Sequence, residues 1–501
     1  AGRPRDEGPD RLTLMLVLTS KQSRDADNLA IQGGIPAPAL MENAGRGAFK
    51  VLKKYFPDLT QKRILVVCGK GNNGGDGRVV ARLLEGVAGE VCVMDVGAGS
   101  PRPGAGTAPL HEYDIIIDAI FGTGLSRPVE GVAQEAIEAM NRSGKWKMAL
   151  DVPSGLSADT GQPLGIAVKA DVTVTMGRPK IGLIQPQASP YVGRLEVADI
   201  GIPQEVYDSL DSRTHWVTAE EVRPWFRPRA SDSHKGTYGH VLLIGGSENK
   251  PGAILLAGKA ALRTGAGLVT VALPDKAFRK FPKNFLELMY EPLPSLRNGT
   301  MARKAWAKVP KILEGKGALA IGPGLGVNAD TKAIVRDAVL KTKIPLVLDA
   351  DALNVLGPGD LKKRKSPTIL TPHPGEMARL TGLTTAKIQK NRLAAARDFA
   401  TKHGVVIVLK GFRTVTATPS GEVFVNSTGN VGMATAGMGD ALTGTIASLL
   451  AQGLEPEKAA VAGVFLHGRA GDRVAEQLGD RGLLASDVID EIPQAFHEIH
   501  F

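Results

Sequence analysis

The chain has 501 residues, too many for one ordinary core, and two domains of roughly 200–280 residues are expected. Its hydrophobic content of 43% and charged content of 22% are those of a soluble globular protein, and no run of about 18 apolar residues is present to span a membrane. The net charge of +10 comes from dispersed Lys and Arg without interleaved aromatics, which argues against nucleic acid and leaves solubility or attraction of a polyphosphate ligand as its use.

Residues 1–14 read as an upstream tail, with Met15 opening the folded part. The apolar run 12–18 is short, Asp6, Glu7 and Asp10 spoil a signal-peptide start, and no small-residue cleavage site follows. A first series of short β-branched runs covers 64–68, 91–96, 115–118 and 148–152. Helical patterns lie between, over 40–56 (apolar at Leu40, Met41, Ala44, Ala48, Val51, Leu52 and Tyr55) and 79–84. Cys68 and Cys92 fall in strand-like runs, so buried free thiols and a cytoplasmic setting are expected. The Pro- and Arg-rich stretch 223–231 reads as a linker, and the boundary is placed at 217/218. A second series follows at 241–245, 269–272, 319–322, 346–349, 369–371 and 405–409. Continuous apolar strands alternating with helices predict an α/β fold, with parallel sheets covered on both faces. In such sheets ligands bind beyond the carboxyl ends of the strands, so the informative residues are those just after each run.

In the first half, the run 64–68 leads into Gly69-Lys70-Gly71-Asn72-Asn73-Gly74-Gly75-Asp76-Gly77, a strand-to-helix turn able to wrap a phosphate. Its spacing is neither a Walker loop nor a dinucleotide fingerprint. Two aspartates also end strands. Asp118 precedes Gly122-Thr123-Gly124-Leu125-Ser126-Arg127-Pro128, and Asp151 precedes Val152-Pro153-Ser154-Gly155. Asp118, Asn73 and Ser154 are hard oxygen donors suited to a monovalent cation, which leaves Asp151 for acid–base work.

Together with Met41-Glu42-Asn43-Ala44-Gly45-Arg46-Gly47, these motifs resemble the NAD(P)H-hydrate epimerase family over about residues 15–215. The resemblance implies a Rossmann-like three-layer sandwich over 15–217. It implies substrate contacts at Asn72, Asn73, Gly74, Gly75 and Asp76, at Gly122 through Pro128, and at Asp151. It further implies K⁺ held by Asn73, Asp118 and Ser154, and Asp151 as the acid–base group for epimerisation at C6 of the hydrated ring.

In the second half, His234-Lys235-Gly236-Thr237-Tyr238-Gly239-His240, Gly322-Pro323-Gly324-Leu325-Gly326, Asp349-Ala350-Asp351, Thr371-Pro372-His373-Pro374-Gly375-Glu376 and Lys410-Gly411 are the informative runs, most of them at strand ends. The stretch Asn426-Ser427-Thr428-Gly429-Asn430, followed by Thr435-Ala436-Gly437-Met438-Gly439-Asp440, feeds a helical pattern of Leu442, Ile446, Leu449 and Leu450. Small residues before a helix N-terminus make an anion site, and Asp440 puts a carboxylate base beside it. Nothing has zinc-ligand spacing.

This half resembles the ADP/ATP-dependent NAD(P)H-hydrate dehydratase family, with a ribokinase-like α/β fold over 218–501. By that resemblance Ala253, Gly324, His373 and Asp440 contact the hydrate. Lys410, Gly411, Phe412, Arg413, Thr414 and Gly439 contact the nucleotide, with Asp440 catalytic. Mg²⁺ is expected beside the nucleotide, and the fused arrangement favours ADP over ATP by analogy. The expected activity is repair: epimerising (R)- and (S)-NAD(P)HX and dehydrating the S form with ADP turned into AMP and phosphate. Homo-oligomerisation is expected. The alternatives are a ribokinase-like small-molecule kinase with an appended ligand-binding domain, and a nucleotide-binding module without turnover.

Overall fold

The computed structural model describes residues 15–96, 110–280 and 285–500. The segment 1–14, expected as an upstream tail, lies outside these. Two compact units are present, one from Met15 to Thr214 and one from His215 onward.

The first unit is built on six strands: β1 (Arg63–Cys68), β2 (Glu90–Asp95), β3 (Ile115–Ala119), β4 (Trp146–Leu150), β5 (Val172–Met176) and β6 (Arg194–Ala198). They lie in the order β2-β1-β3-β4-β5-β6, every pair parallel. The central strands β3 and β5 are buried at every residue, whereas edge strand β2 alternates between exposed and half-buried. A strand covered on both faces needs no polar alternation, which is why β1 and β3 carry the unbroken apolar runs 64–68 and 115–117. The helix Ala37–Tyr55 buries Leu40, Ala44, Ala48 and Leu52 on one stripe. The chain leaves β1 for β2 on one side and returns to β3 on the other, so the topological switch point lies between β1 and β3.

The second unit has ten strands: β7 (Thr214–Val217), β8 (His240–Ile244), β9 (Leu268–Pro274), β10 (Met289–Leu293), β11 (Ala318–Ile321), β12 (Leu346–Leu348), β13 (Thr368–Leu370), β14 (Val406–Leu409), β15 (Val415–Ala417) and β16 (Val423–Asn426). Their order is β10-β9-β8-β11-β12-β13-β14-β15-β16-β7, with the switch between β8 and β11. Strands β8 to β14 are parallel, but β14-β15 and β15-β16 pair antiparallel, a feature absent from the sequence expectation. The helix Met438–Ala451 is buried at every residue from Ala441 to Leu450. It approaches the helix Pro251–Arg263 so closely that a Cβ on Gly444 would lie 1.9 Å from the Ala257 carbonyl oxygen.

The stretch 223–231 is not a linker between the units. It lies inside the second, where Arg223–Trp225 forms a 3₁₀ turn and Trp225 and Phe226 pack on the core. The ring of Phe226 meets Phe496 edge-on at 4.9 Å. The division between units falls instead after Thr214, the first residue of β7, whose remaining residues belong to the second unit.

Candidate active sites

In the first unit, the carboxyl ends of β1, β3 and β4 open into a cavity of 970 Å³. The helix Asn72–Leu84 starts directly at Asn72, so the polar Gly-rich stretch is mostly a first helical turn rather than a loop. Its glycines serve packing: a Cβ on Gly74 would lie 1.9 Å from the Gly69 oxygen, and one on Gly77 would lie 2.6 Å from the Ala119 Cβ. Gly74, Gly75 and Pro128 accordingly stand outside the cavity wall, while Asn72, Asn73, Asp76, Gly122, Thr123, Gly124, Leu125, Ser126, Arg127 and Asp151 line it.

Asn73, Asp118 and Ser154 come together under that wall. The Asn73 amide donates to the carbonyls of Phe121 (2.9 Å) and Leu150 (3.1 Å), and its buried Oδ1 has no hydrogen-bond partner. The carboxylate of Asp118 is fully buried. It accepts from the Ser154 hydroxyl at 2.6 Å and the Ser154 amide at 2.8 Å. Burial pushes its carboxyl up to about 6 even though both Ser154 donors pull it down. Asn73 and Ser154 both bond the Phe121 backbone, so an amide oxygen and a buried carboxylate, neither with a cation partner among the described residues, form a donor set that fits a monovalent cation.

Asp151 follows β4 with φ of 64°, a left-handed conformation that Asp tolerates better than most residues. Its Oδ1 accepts from the Nζ of Lys180 at 2.5 Å. Lys180 is itself buried and also donates to the Thr175 hydroxyl and the Met176 carbonyl. A Cβ on Gly122 would lie 2.9 Å from Asp151 Oδ2, so the Gly122 backbone lies against the carboxylate. Asp76 accepts no hydrogen bond from any described residue. Burial, then Asp151 and Asp27, push its carboxyl up to about 8 despite Lys180. Asp27, on the helix Ser20–Gln32, is pushed up to about 6 by burial, with Lys180 opposing. Sequence reading missed Asp27 and Lys180. The only signal for Lys180 was its place four residues beyond the end of β5.

In the second unit, the ends of β12, β13 and β14 bring Asp349, Thr371 and Lys410 together. Lys410 Nζ donates to Asp349 Oδ1 at 2.7 Å and lies 4.0 Å from Glu376 Oε2. Asp349, 1% exposed, also accepts from the hydroxyls of Thr371 (2.7 Å) and Thr443 (2.8 Å). Burial pulls the Lys410 ammonium down, but Asp349, Glu376 and Asp440 together raise it above its ordinary value. A Cβ on Gly439 would lie 3.2 Å from Lys410 Nζ, which puts that ammonium against the first turn of the helix Met438–Ala451. Asp440, in the same turn, accepts no hydrogen bond from any described residue. Burial and the neighbouring Asp349 push its carboxyl up to about 7, against the pull of Lys410.

Gly324 and Ala253 are also adjacent, since a Cβ on Gly324 would lie 3.3 Å from that of Ala253. His373 caps the helix Pro374–Thr381, its Nδ1 accepting from the Gly375 amide at 3.0 Å. Burial, Lys410 and Arg379 lower its pKa below the ordinary value, and the neutral ring that accepts at Nδ1 carries its proton on Nε2. The loop from Lys410 to Thr414 is half-buried to exposed, with Arg413 at φ of 48° and its guanidinium 5.1 Å from the Trp216 ring. Among the described residues, no group of three or more His, Cys, Asp or Glu side chains is arranged to hold a metal ion.

The two units therefore define an α/β enzyme class with an acid–base cavity in one unit and a lysine–carboxylate cluster at a helix N-terminus in the other. Residues 241–494 match the family described as NAD(P)H-hydrate dehydratase, and residues 37–105 and 99–182 match the YjeF-related protein N-terminus. The chain is 41% identical to the bifunctional NAD(P)H-hydrate repair enzyme Nnr of Moorella thermoacetica, covering 97% of each chain. It is 36% identical to that of Escherichia coli K12, covering 92% of this chain and 89% of the relative. Among solved structures it resembles the ADP/ATP-dependent NAD(P)H-hydrate dehydratase of Bacillus subtilis co-crystallised with ATP/Mg²⁺, at 36% identity and TM-score 0.50, covering 56% of this chain and 97% of that one. It also resembles a ribokinase-like superfamily protein of Enterococcus faecalis V583, at 30% identity and TM-score 0.51, covering 57% and 96%. The chain belongs to the family of bifunctional NAD(P)H-hydrate repair enzymes.

Proposed function

We propose that this chain repairs hydrated nicotinamide cofactor in the cytoplasm, with epimerisation in the unit Met15–Thr214 and nucleotide-dependent dehydration in the unit from His215 onward. The observation that carries the reading is the Lys410 ammonium, bound to Asp349 and pressed against Gly439 one residue from an unpaired Asp440. That is equipment for a terminal phosphate beside a hydroxyl losing its proton.

For dehydration, hydroxide is a poor leaving group. Asp440 takes the proton of the C6 hydroxyl, and the oxygen attacks the terminal phosphoryl group of the nucleotide. With ADP the bond to the bridging oxygen breaks and AMP departs. Loss of phosphate from C6 and of a proton from C5 then restores the ring double bond. Lys410 and the amides of the first helical turn neutralise the charge growing on the transferred group. Ala253, Gly324 and His373 would contact the hydrate, and the loop from Lys410 to Thr414 the nucleotide. Mg²⁺ would be held chiefly by nucleotide oxygens and water, where it would shield phosphate charge.

For epimerisation, the C6 hydroxyl must leave and return on the opposite face, which needs an acid and a base. Asp151, ion-paired with Lys180, supplies the carboxylate base, and Asp76 a protonated carboxyl. Asn73, Asp118 and Ser154 would hold K⁺, whose charge would keep Asp118 ionised beneath the cavity.

Incubation with both epimers and either ADP or ATP tests the whole reading. Full NADH recovery with matching release of AMP from ADP is expected. A stable phosphorylated product would instead identify a small-molecule kinase, and that outcome would overturn the proposal.

A further inference from the structure

Arg392 opens the helix Arg392–His403 and is 3% exposed, yet no carboxylate among the described residues pairs with it. Its guanidinium is spent on backbone: Nη1 donates to the Phe412 carbonyl at 2.6 Å, and Nη2 to those of Leu409 at 2.9 Å and Lys410 at 3.2 Å. Its Nε has no partner among the described residues. Burial pulls the group down to about 10, which still leaves it charged at neutral pH. Burying an unpaired guanidinium is costly, and an apolar side chain would pack there more cheaply if packing were all that was needed.

What the arrangement fixes is the orientation of three peptide planes. In a trans peptide the C=O of one residue and the N–H of the next point in opposite directions. With the Leu409, Lys410 and Phe412 carbonyls turned in toward Arg392, the amides of Lys410, Gly411 and Arg413 face away from it. The Lys410 amide is taken by the Pro372 carbonyl at 2.9 Å. The Gly411 amide donates to no described residue, and Gly411 is exposed. Gly411 has φ of 138°, and a Cβ there would lie 3.1 Å from Arg392 Nη2, so the loop and the guanidinium are shaped to each other.

We infer that Arg392 is a positioning residue for the nucleotide: by pinning the carbonyls of Leu409, Lys410 and Phe412 it presents the Gly411 amide outward as a fixed donor to an anionic oxygen of the nucleotide. The buried charge beneath the loop adds a field of the same sign. The inference rests on the reading of the loop from Lys410 to Thr414 as the nucleotide site, and it assigns that loop a hidden support which touches no ligand itself.

The test uses the full chain with Arg392→Met, which keeps the bulk, and Arg392→Lys, which keeps the charge but cannot reach three carbonyls. Both are expected to raise the KM for ADP about 10–100-fold, with kcat at saturating nucleotide within about three-fold of wild type and the KM for the hydrate unchanged. A general loss of structure would instead lower kcat and disturb both KM values, and that result overturns the inference, as does an unchanged nucleotide KM. Gly411→Ala separates this inference from the reading beneath it. If that variant leaves the nucleotide KM unaltered, the loop is not the nucleotide site and both fall. If it raises KM while the Arg392 variants do not, only the role of Arg392 falls. Should neither Arg392 variant fold, hydrogen exchange on the wild-type protein decides: ADP must protect the Gly411 amide, and exchange that ADP leaves unchanged overturns the inference.

Discussion

Asp440→Asn sets activity against stability at one atom. The substitution keeps the shape and removes the base, so dehydration should fall by about 10²–10⁴-fold in kcat, the usual weight of general base catalysis. The same change should make the second unit more stable. The Asp440 carboxyl is pushed from 3.8 to about 7 by burial and Asp349. An acid whose folded value lies above its unfolded one binds its proton more tightly when folded. Its contribution is therefore complete below pH 3.8 and is lost as pH rises to about 7. At pH 8 the wild-type protein carries the full penalty and the Asn variant carries none. The shift sets a ceiling of about 4 kcal/mol, and relaxation and water at the half-buried carboxylate reduce the expected gain to about 1–2 kcal/mol. That corresponds to a rise in Tm of roughly 2–6 °C at pH 8, shrinking as the pH is lowered toward 4. Calorimetry at both pH values together with NADH recovery from the S epimer measures the two effects. A variant that retains near-normal dehydration, or one that melts below wild type at pH 8, would refute the placement of an unpaired carboxylate in this turn.

Other outcomes follow from the same geometry. The kcat/KM for dehydration should rise with pH through a limb near 7, because the base form of Asp440 is the active one; a flat profile from pH 5 to 9 argues against it. Asp151→Asn should abolish interconversion of the R and S hydrates and spare dehydration of the S form, read by following each epimer chromatographically. Exchanging K⁺ for a large organic cation, or Asp118→Asn, should slow epimerisation at least ten-fold and leave dehydration with Mg²⁺ unchanged; equal rates in both salts would remove the cation from the first unit. Gly69→Ala should unfold the first unit or lower its Tm sharply, since its Cβ would lie 2.0 Å from the Ile120 carbonyl oxygen.

Strand ends were the legible part of this chain, for a physical reason. A parallel strand buried on both faces is written as an unbroken apolar run, so its carboxyl end is marked by the first Gly, Asp or Lys. Asp118, Asp151, Asp349 and Lys410 were all found that way. Strands β5 and β6 were missed because Val172-Thr173-Val174-Thr175-Met176 and Arg194-Leu195-Glu196-Val197-Ala198 carry polar residues. In β5 the Thr173 hydroxyl is hidden only by its bond to the Val192 carbonyl. Strands β15 and β16 have three and four residues, too short to show a period. Residues that act through burial left no local mark either. Arg392 looks like any helix-surface arginine until the loop folds over it, and Asp27 lies on a helix whose sequence is mostly polar. The stretch 223–231 misled because Pro and Arg are loop residues on average, whereas here Trp225 and Phe226 anchor it to the core.

The two sites solve the same electrostatic problem alike. Each has one carboxylate fixed by a lysine, Asp151 by the buried Lys180 and Asp349 by the half-buried Lys410. Each leaves a second carboxyl nearby with no hydrogen bond from the described residues, and the fixed negative charge helps raise it, Asp76 to about 8 and Asp440 to about 7. Two equivalent carboxylates would compete for one proton, but pairing one of them with an ammonium separates their roles. At neutral pH Asp76 is mostly protonated and suits a group that gives a proton to a departing hydroxyl. Asp440, raised less, keeps more of its ionised form there and suits a group that takes one from a nucleophile. On the proposed mechanism the lysines serve the acid–base chemistry without exchanging a proton. Removing Lys180 or Lys410 should move the pH dependence of the corresponding reaction upward before it abolishes the reaction, because each ammonium now holds its neighbouring carboxyl down.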